Sequence, residues 1–296
     1  MLFLVGRGAD QRDARSSTFG NAHNIAKPSL DGTRIIEEAT LANAMRAFFA
    51  LLLLIAIPRP VSADFVVAEA AVRNGEYPLA YLACKSEADA GDAECQHLLG
   101  YLYQEGLGVP LNPTEAIRLF RRAAKRGLAI AQCHLGFAYE RGFGVSPDDF
   151  EAVRWYRLAA AQGDPIGEYF MAFSLLEGRG VAKNRGRAIE LLQRAADRGY
   201  PPAQIELAFQ LETARGAMRQ AVQAYMWYRI AARMANNPKV SERAIEGQNR
   251  LTIEFSSQEI VAARIAAEDW KPVGPRLEFG PLGARPASAQ GDYRGS

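Results

Sequence analysis

The side chains that could ligate a metal or attack an electrophile are few. His97 and His134 are the histidines beyond the first 60 residues, and the cysteines are Cys84, Cys95 and Cys133. A structural or catalytic zinc needs three or four convergent Cys, His or carboxylate ligands at short spacings. No Cys/His spacing here meets that requirement, so no metal or other cofactor is expected, and the two histidines read as buried or surface polar residues. No G-x-S-x-G elbow, S-x-x-K dyad or P-loop occurs. Catalytic residues are therefore expected to be absent. Segments such as Gly142-Phe143-Gly144-Val145 look like fragments of phosphate-binding loops, but they recur down the chain and follow no strand. Turn formation explains them.

That recurrence is the organising feature. Gly106, Gly142 and Gly178 stand 36 residues apart, as do Gly127, Gly163 and Gly199. The pair Ala123-Ala124 returns as Ala159-Ala160, Ala195-Ala196 and Ala231-Ala232, giving four copies. A fixed period of this size marks a stack of supersecondary units. In residues 131–163, Ala131, Leu135 and Tyr139 mark one face of a first helix. The Gly142–Val145 loop follows, with Asp148 as the N-cap of a second helix. Ala152, Trp155, Tyr156, Ala159 and Ala160 form that helix's inward face, and Gly163 ends it. Gly136, aligned with Gly100, Ala172 and Ala208, predicts close approach of a neighbouring helix. The expected fold is all-α, an α-solenoid of stacked antiparallel helix pairs.

The motif A-x-x-x-L-G-x-x-Y-x-x-G-x-G-V, then D-x-x-x-A-x-x-W-Y-x-x-A-A-x-x-G, resembles the Sel-one-like repeat family, a relative of the tetratricopeptide repeats. Residues 131–163 match almost every fixed position. Residues 95–127 carry Cys95 and Asn112 in place of the first alanine and the aspartate. Residues 167–199 depart at Gly167, Met171, Ala172 and Leu175, and residues 203–235 lack the G-x-G-V loop. The resemblance implies a right-handed solenoid that acts as an adaptor for other proteins.

The organisation follows: repeats at 95–130, 131–166, 167–202 and 203–236, the last one degenerate. A degraded capping pair is expected at 64–94, capping helices at 237–270 with a capping box at Ser256–Glu259, and a disordered tail at 271–296.

Residues 47–57 form an apolar run of 11 residues behind Arg46, with Val61-Ser62-Ala63 beyond it. This reads as a secretory signal at 45–63, cleaved after Ala63. It is too short to span a bilayer, so no stable membrane span is expected after cleavage. Residues 1–44 read as a misassigned extension, or else as a real one with the run as a weak anchor. Cleavage removes seven of the 35 basic and five of the 33 acidic residues, leaving 28 of each. Without a basic excess, nucleic-acid binding is not expected. The expected location is periplasmic or secreted.

Export permits disulfides. Some exported proteins of the resembled family link adjacent helices this way, with shorter cysteine spacing. A Cys84–Cys95 bridge and three small buried thiols stand as alternatives.

A line along each first helix lies off the Leu/Tyr face. It reads His97, Tyr101, Glu105; then Cys133, Phe137, Arg141; then Tyr169, Phe173, Glu177; then Ile205, Phe209, Thr213. Stacking sets Tyr101, Phe137, Phe173 and Phe209 in a row, and the resemblance implies that first helices line the concave face. Tyr101, Phe137, Arg141, Tyr169, Phe173 and Phe209 are the candidate contacts for a protein or peptide partner. The alternative is that these rings pack between neighbouring first helices. The expected function is a scaffold for protein–protein interactions in envelope signalling or complex assembly. A cell-wall or β-lactam hydrolase on the same repeats is the second class, which some family members suggest.

Overall fold

A computed structural model describes residues 62–213, 218–253 and 255–273. The expectations for residues 1–44, for most of the signal segment and for the tail beyond 273 fall outside the described residues. So do residues 214–217 and 254.

The described residues form twelve α-helices and no strand. They are α1 (Ala63–Arg73), α2 (Tyr77–Ala90), α3 (Ala93–Glu105), α4 (Pro113–Lys125), α5 (Ala129–Arg141) and α6 (Asp149–Ala161). Then follow α7 (Pro165–Glu177), α8 (Arg185–Asp197), α9 (Pro201–Thr213), α10 (Met218–Met234), α11 (Pro238–Thr252) and α12 (Ser257–Asp269). Each helix packs on its sequence neighbour through α1–α11, which makes a solenoid of helix pairs. The helix α12 instead lies on α10.

The periodic residues take the roles their chemistry dictates. Asn112, Asp148 and Asn184 cap the second helices α4, α6 and α8, accepting from the amides of Glu115, Glu151 and Arg187 at 3.1, 3.0 and 2.9 Å. Gly106, Gly142 and Gly178 end the first helices at φ of 67, 70 and 74°, a region glycine enters without Cβ strain. The second loop glycine adds a different constraint. A Cβ on Gly144 would lie 2.6 Å from the Pro113 carbonyl oxygen at the start of the preceding second helix. The G-x-G pair therefore both turns the chain and seats each loop on the repeat before it.

Gly136 is explained by Tyr156. A Cβ there would meet the Tyr156 ring at 2.6 Å, and Gly100 stands in the same relation to Phe120 at 2.7 Å. The two helices of a pair thus interlock through an absent side chain facing a large one.

Two polar columns cross the repeats as well. Gln96, Gln132 and Gln204 are buried, and their Nε2 groups donate to the carbonyls of Ala88, Ala124 and Ala196 at 2.9, 3.2 and 3.0 Å. Each adds a second bond to a last-turn carbonyl of the preceding second helix, which also accepts from the amide of Gly91, Gly127 or Gly199. Glu168 holds the fourth place in this column. In the second column the Tyr156 hydroxyl donates to Glu140 Oε2 at 2.8 Å, and Arg179 of the next repeat donates to Glu140 Oε1 at 3.2 Å. Two repeats on, Tyr228, Glu212 and Arg250 repeat the arrangement at 2.7 and 3.1 Å.

The ends are finished differently. The pair α1–α2 supplies the N-terminal cap, and Ser62, the second residue before the cleavage site expected from the sequence, caps α1 by accepting from the Phe65 amide at 3.1 Å. At the other end the Ser256–Glu259 capping box is present and starts α12. Beyond it, Trp270 meets Trp227 edge to face at 5.8 Å, and the Val273 amide donates to the Asp197 carbonyl at 2.7 Å.

Candidate interaction surface

Successive first helices touch across the repeats, as α5 does with α7 and α9 with α11, while contacts between the second helices α4, α6 and α8 are at most sparse. In a stack of pairs, the layer whose members approach each other is the inner side of the bend. The candidate row lies on that layer.

The row divides by burial. Phe137 and Tyr169 are each 8% exposed. Phe137 tilts against Phe170 at 6.3 Å, and Tyr169 sets its edge to Phe170 at 5.4 Å and to Tyr200 at 5.5 Å. These two rings pack between neighbouring repeats. Tyr101, Phe173 and Phe209 keep part of their surface in solvent. Burial, then the charge of Glu105, pushes the Tyr101 hydroxyl up, so it stays a neutral donor.

Two guanidinium groups lie over this strip. Arg141, exposed, stands 5.7 Å from the Phe137 ring centroid, and Arg179 stands 5.4 Å from that of Phe173. Arg179 is oriented by its bond to Glu140, whose side chain is 8% exposed. A flat cation over an aromatic face extends the strip with a polar edge. The surface can thus take an apolar side chain and a hydrogen-bond acceptor side by side.

The residues considered for metal or nucleophile chemistry sit elsewhere. His97 and His134 are both buried, with ring centroids 5.0 Å apart and Phe120 against each. Burial, then the neighbouring His134, lowers the proton affinity of His97 well below the usual range. Among the described residues no group of three or more His, Cys, Asp or Glu side chains could hold a metal ion. Cys133 is buried with Sγ 3.5 Å from Asp164 Oδ1, and burial pushes its thiol well above the usual range. A nucleophilic cysteine needs the opposite shift. Cys84 and Cys95 form a disulfide that joins α2 to α3.

The glutamine column and the Tyr–Glu–Arg clusters were not singled out in the sequence. Their signal was there: Gln96, Gln132, Glu168 and Gln204 recur at the same 36-residue interval as the glycines.

Comparison with known proteins agrees with this architecture. Residues 93–128, 129–164, 165–200 and 201–236 match the Sel1 repeat. A Sel1 repeat protein from Oxalobacter formigenes is 26% identical over 70% of this chain and 83% of its own, with a TM-score of 0.57. The protein c5321, a protective antigen with an SLR fold from uropathogenic Escherichia coli, is 22% identical over 66% of this chain and 48% of its own, at a TM-score of 0.45. The immunity protein Pa5087 from Pseudomonas aeruginosa is 16% identical over 76% of this chain and 90% of its own, also at 0.45. Comparison with curated proteins gives no match.

Proposed function

Since residues 93–236 are four Sel1 repeats and the chain is a Sel1-repeat scaffold for protein–protein interaction, we propose that it holds a protein partner along its first-helix layer. Phe173 and Phe209 are the anchors of that surface, with Tyr101 extending it, and Arg141 and Arg179 supply its polar edge. The observation that carries this reading is the partial exposure of Tyr101, Phe173 and Phe209 at one repeat position, with Arg179 over Phe173 and Arg141 over the neighbouring Phe137. Aromatic and arginine side chains dominate the energetics of protein interfaces. The hydrolase alternative has no observation in its favour among the described residues.

The test is capture from envelope extract by immobilised protein, wild type against Phe173→Ala/Phe209→Ala. Truncating a hot-spot ring weakens binding by about 2 kcal/mol, roughly 30-fold per anchor. Loss of the captured species with nearly unchanged melting is expected. A large drop in melting temperature with capture intact would overturn the proposal. Phe137→Ala is unsuited to this test because Phe137 packs between repeats.

We further propose that the protein is exported and works in the periplasm or outside the cell, with residues 45–63 as a cleaved signal. The Cys84–Cys95 disulfide supports this, because such bonds persist in oxidising compartments. Mass spectrometry of the exported protein should find Asp64 at its N-terminus. Mature protein that retains residues 45–63 would sink the assignment.

A further inference from the structure

Glu168 breaks the chemistry of its column. Gln96, Gln132 and Gln204 each donate to the carbonyl eight residues before them. The corresponding carbonyl for Glu168 is that of Ala160 in the last turn of α6, which accepts from the Gly163 amide at 3.0 Å and has a second lone pair; an ionised carboxylate has no proton to give it. Yet Glu168 is only 2% exposed. Its Oε1 accepts from Arg194 Nε at 2.7 Å, while Oε2 is buried without a hydrogen-bond partner. The carbonyl oxygens of Gln96 and Gln204 are buried in the same way, but they carry no charge. An ionised, unpartnered oxygen at this depth costs several kcal/mol of solvation, and the group responds by holding its proton.

We propose that Glu168 is a proton-operated latch between the second and third repeats: protonated at Oε2, it donates to the Ala160 carbonyl as the glutamines do in their repeats, and ionisation opens that bond. The neutral carboxyl still accepts from Arg194 through Oε1, so both oxygens are satisfied in the protonated form only.

The surrounding charges set the balance. Burial raises the proton affinity of Glu168 first. Arg194 and Arg198, from the α8 side, oppose it, and Asp164 on its own helix adds to it. Asp164 itself is pushed up by burial and takes a bond from the Cys133 thiol of α5. On α5, Glu140 is engaged by Tyr156 and Arg179; on α9, Glu206 is bonded to Gln210, and Glu212 to Tyr228 and Arg250. On α6, Arg154 is paired to Glu151 on the exposed side.

A carboxyl with raised proton affinity in the fold adds stability at pH below its unfolded value. That stability is lost as pH rises through the folded value. The latch is therefore closed in acid and opens toward neutrality. Two measurements test it. A 13C NMR titration of the Glu168 side-chain carboxyl in the intact protein should show a midpoint above the ordinary glutamate range of about 4.3. Glu168→Gln should melt with the wild type near about pH 4 and above it by about pH 8, where the wild type is ionised. A carboxyl midpoint at or below the ordinary value overturns the latch. So does a melting difference between the two proteins that stays constant with pH.

Discussion

Tyr156→Ala should lower the unfolding free energy by about 3–5 kcal/mol, measured by denaturant titration of the whole protein. Tyr156 is 1% exposed and lies at the meeting point of three helices. Its ring stacks on Phe170 of the next repeat at 4.9 Å and 12°. The other side of the ring occupies the space that Gly136 leaves open. Its hydroxyl donates to Glu140, which Arg179 ties to the third repeat. Truncation removes a large buried ring and also an anchor of a buried carboxylate. Tyr156→Phe separates the two effects. It keeps the ring, leaves Glu140 its bond to Arg179, and should cost about 1.5–3 kcal/mol, the scale of one hydrogen bond to a charged group.

A double-mutant cycle gives the sharper form of this prediction. Gly136→Ala alone drives a methyl into the Tyr156 ring and should cost about 1–3 kcal/mol by overpacking. With Tyr156→Ala the ring is gone, and the same methyl fills vacated space. The pair should therefore be less destabilised than the sum of the singles, with coupling of about 1 kcal/mol or more. Additivity would mean that the two helices do not interlock through this contact. Because each repeat touches only its neighbours, the damage should centre on repeats two and three. Lowered cooperativity, seen as a reduced denaturant slope, is the accompanying sign.

The glycine, asparagine and alanine columns were readable because each has a single physical use. Asn112, Asp148 and Asn184 can only serve as caps at that distance from a loop, and they do. The second glycine of G-x-G was readable as a turn former and no further. That Gly144 must lie against Pro113 depends on the packing angle between repeats, which no single repeat contains. The same limit explains the aromatic row. Helical spacing puts Phe137 and Phe173 on one line. Whether each ring is covered depends on what the next first helix presents: Phe170 of α7 tilts against Phe137, while Phe173 stays partly exposed. The glutamines went unread for a different reason. A polar residue at helical spacing looks like surface, and only the end of the preceding helix gives a buried amide something to bond. The C-terminal helix α12 was announced by its capping box, but nothing in its own sequence says that it packs on α10 rather than α11.

Cys84→Ala should cost about 3 kcal/mol, nearly all of it through the N-terminal cap. Cys84 and Cys95 are both fully buried and stand 11 residues apart. Closing a loop of that size in the unfolded chain is worth about 3 kcal/mol in the chain-entropy account. The bridge ties α2 to α3, so it holds the degraded pair α1–α2 onto the first full repeat. That pair lacks a G-x-G loop of its own; Asn74-Gly75-Glu76 joins its helices. Without the bridge it is held by the packing of Ala68, Ala71, Val72, Ala80 and Ala88 and by the Gln96 and Arg122 bonds to the Ala88 carbonyl. Amide exchange in α1 and α2 should speed up in Cys84→Ala well before that in α5–α8. Reductant should move the wild type to the same place and leave Cys84→Ala unmoved. Cys133→Ala, which removes a buried thiol outside any bridge, should keep the wild type's full response to reductant. If reductant changes nothing in the wild type, the three cysteines act as small buried hydrophobes, and the cap's stability rests on packing alone.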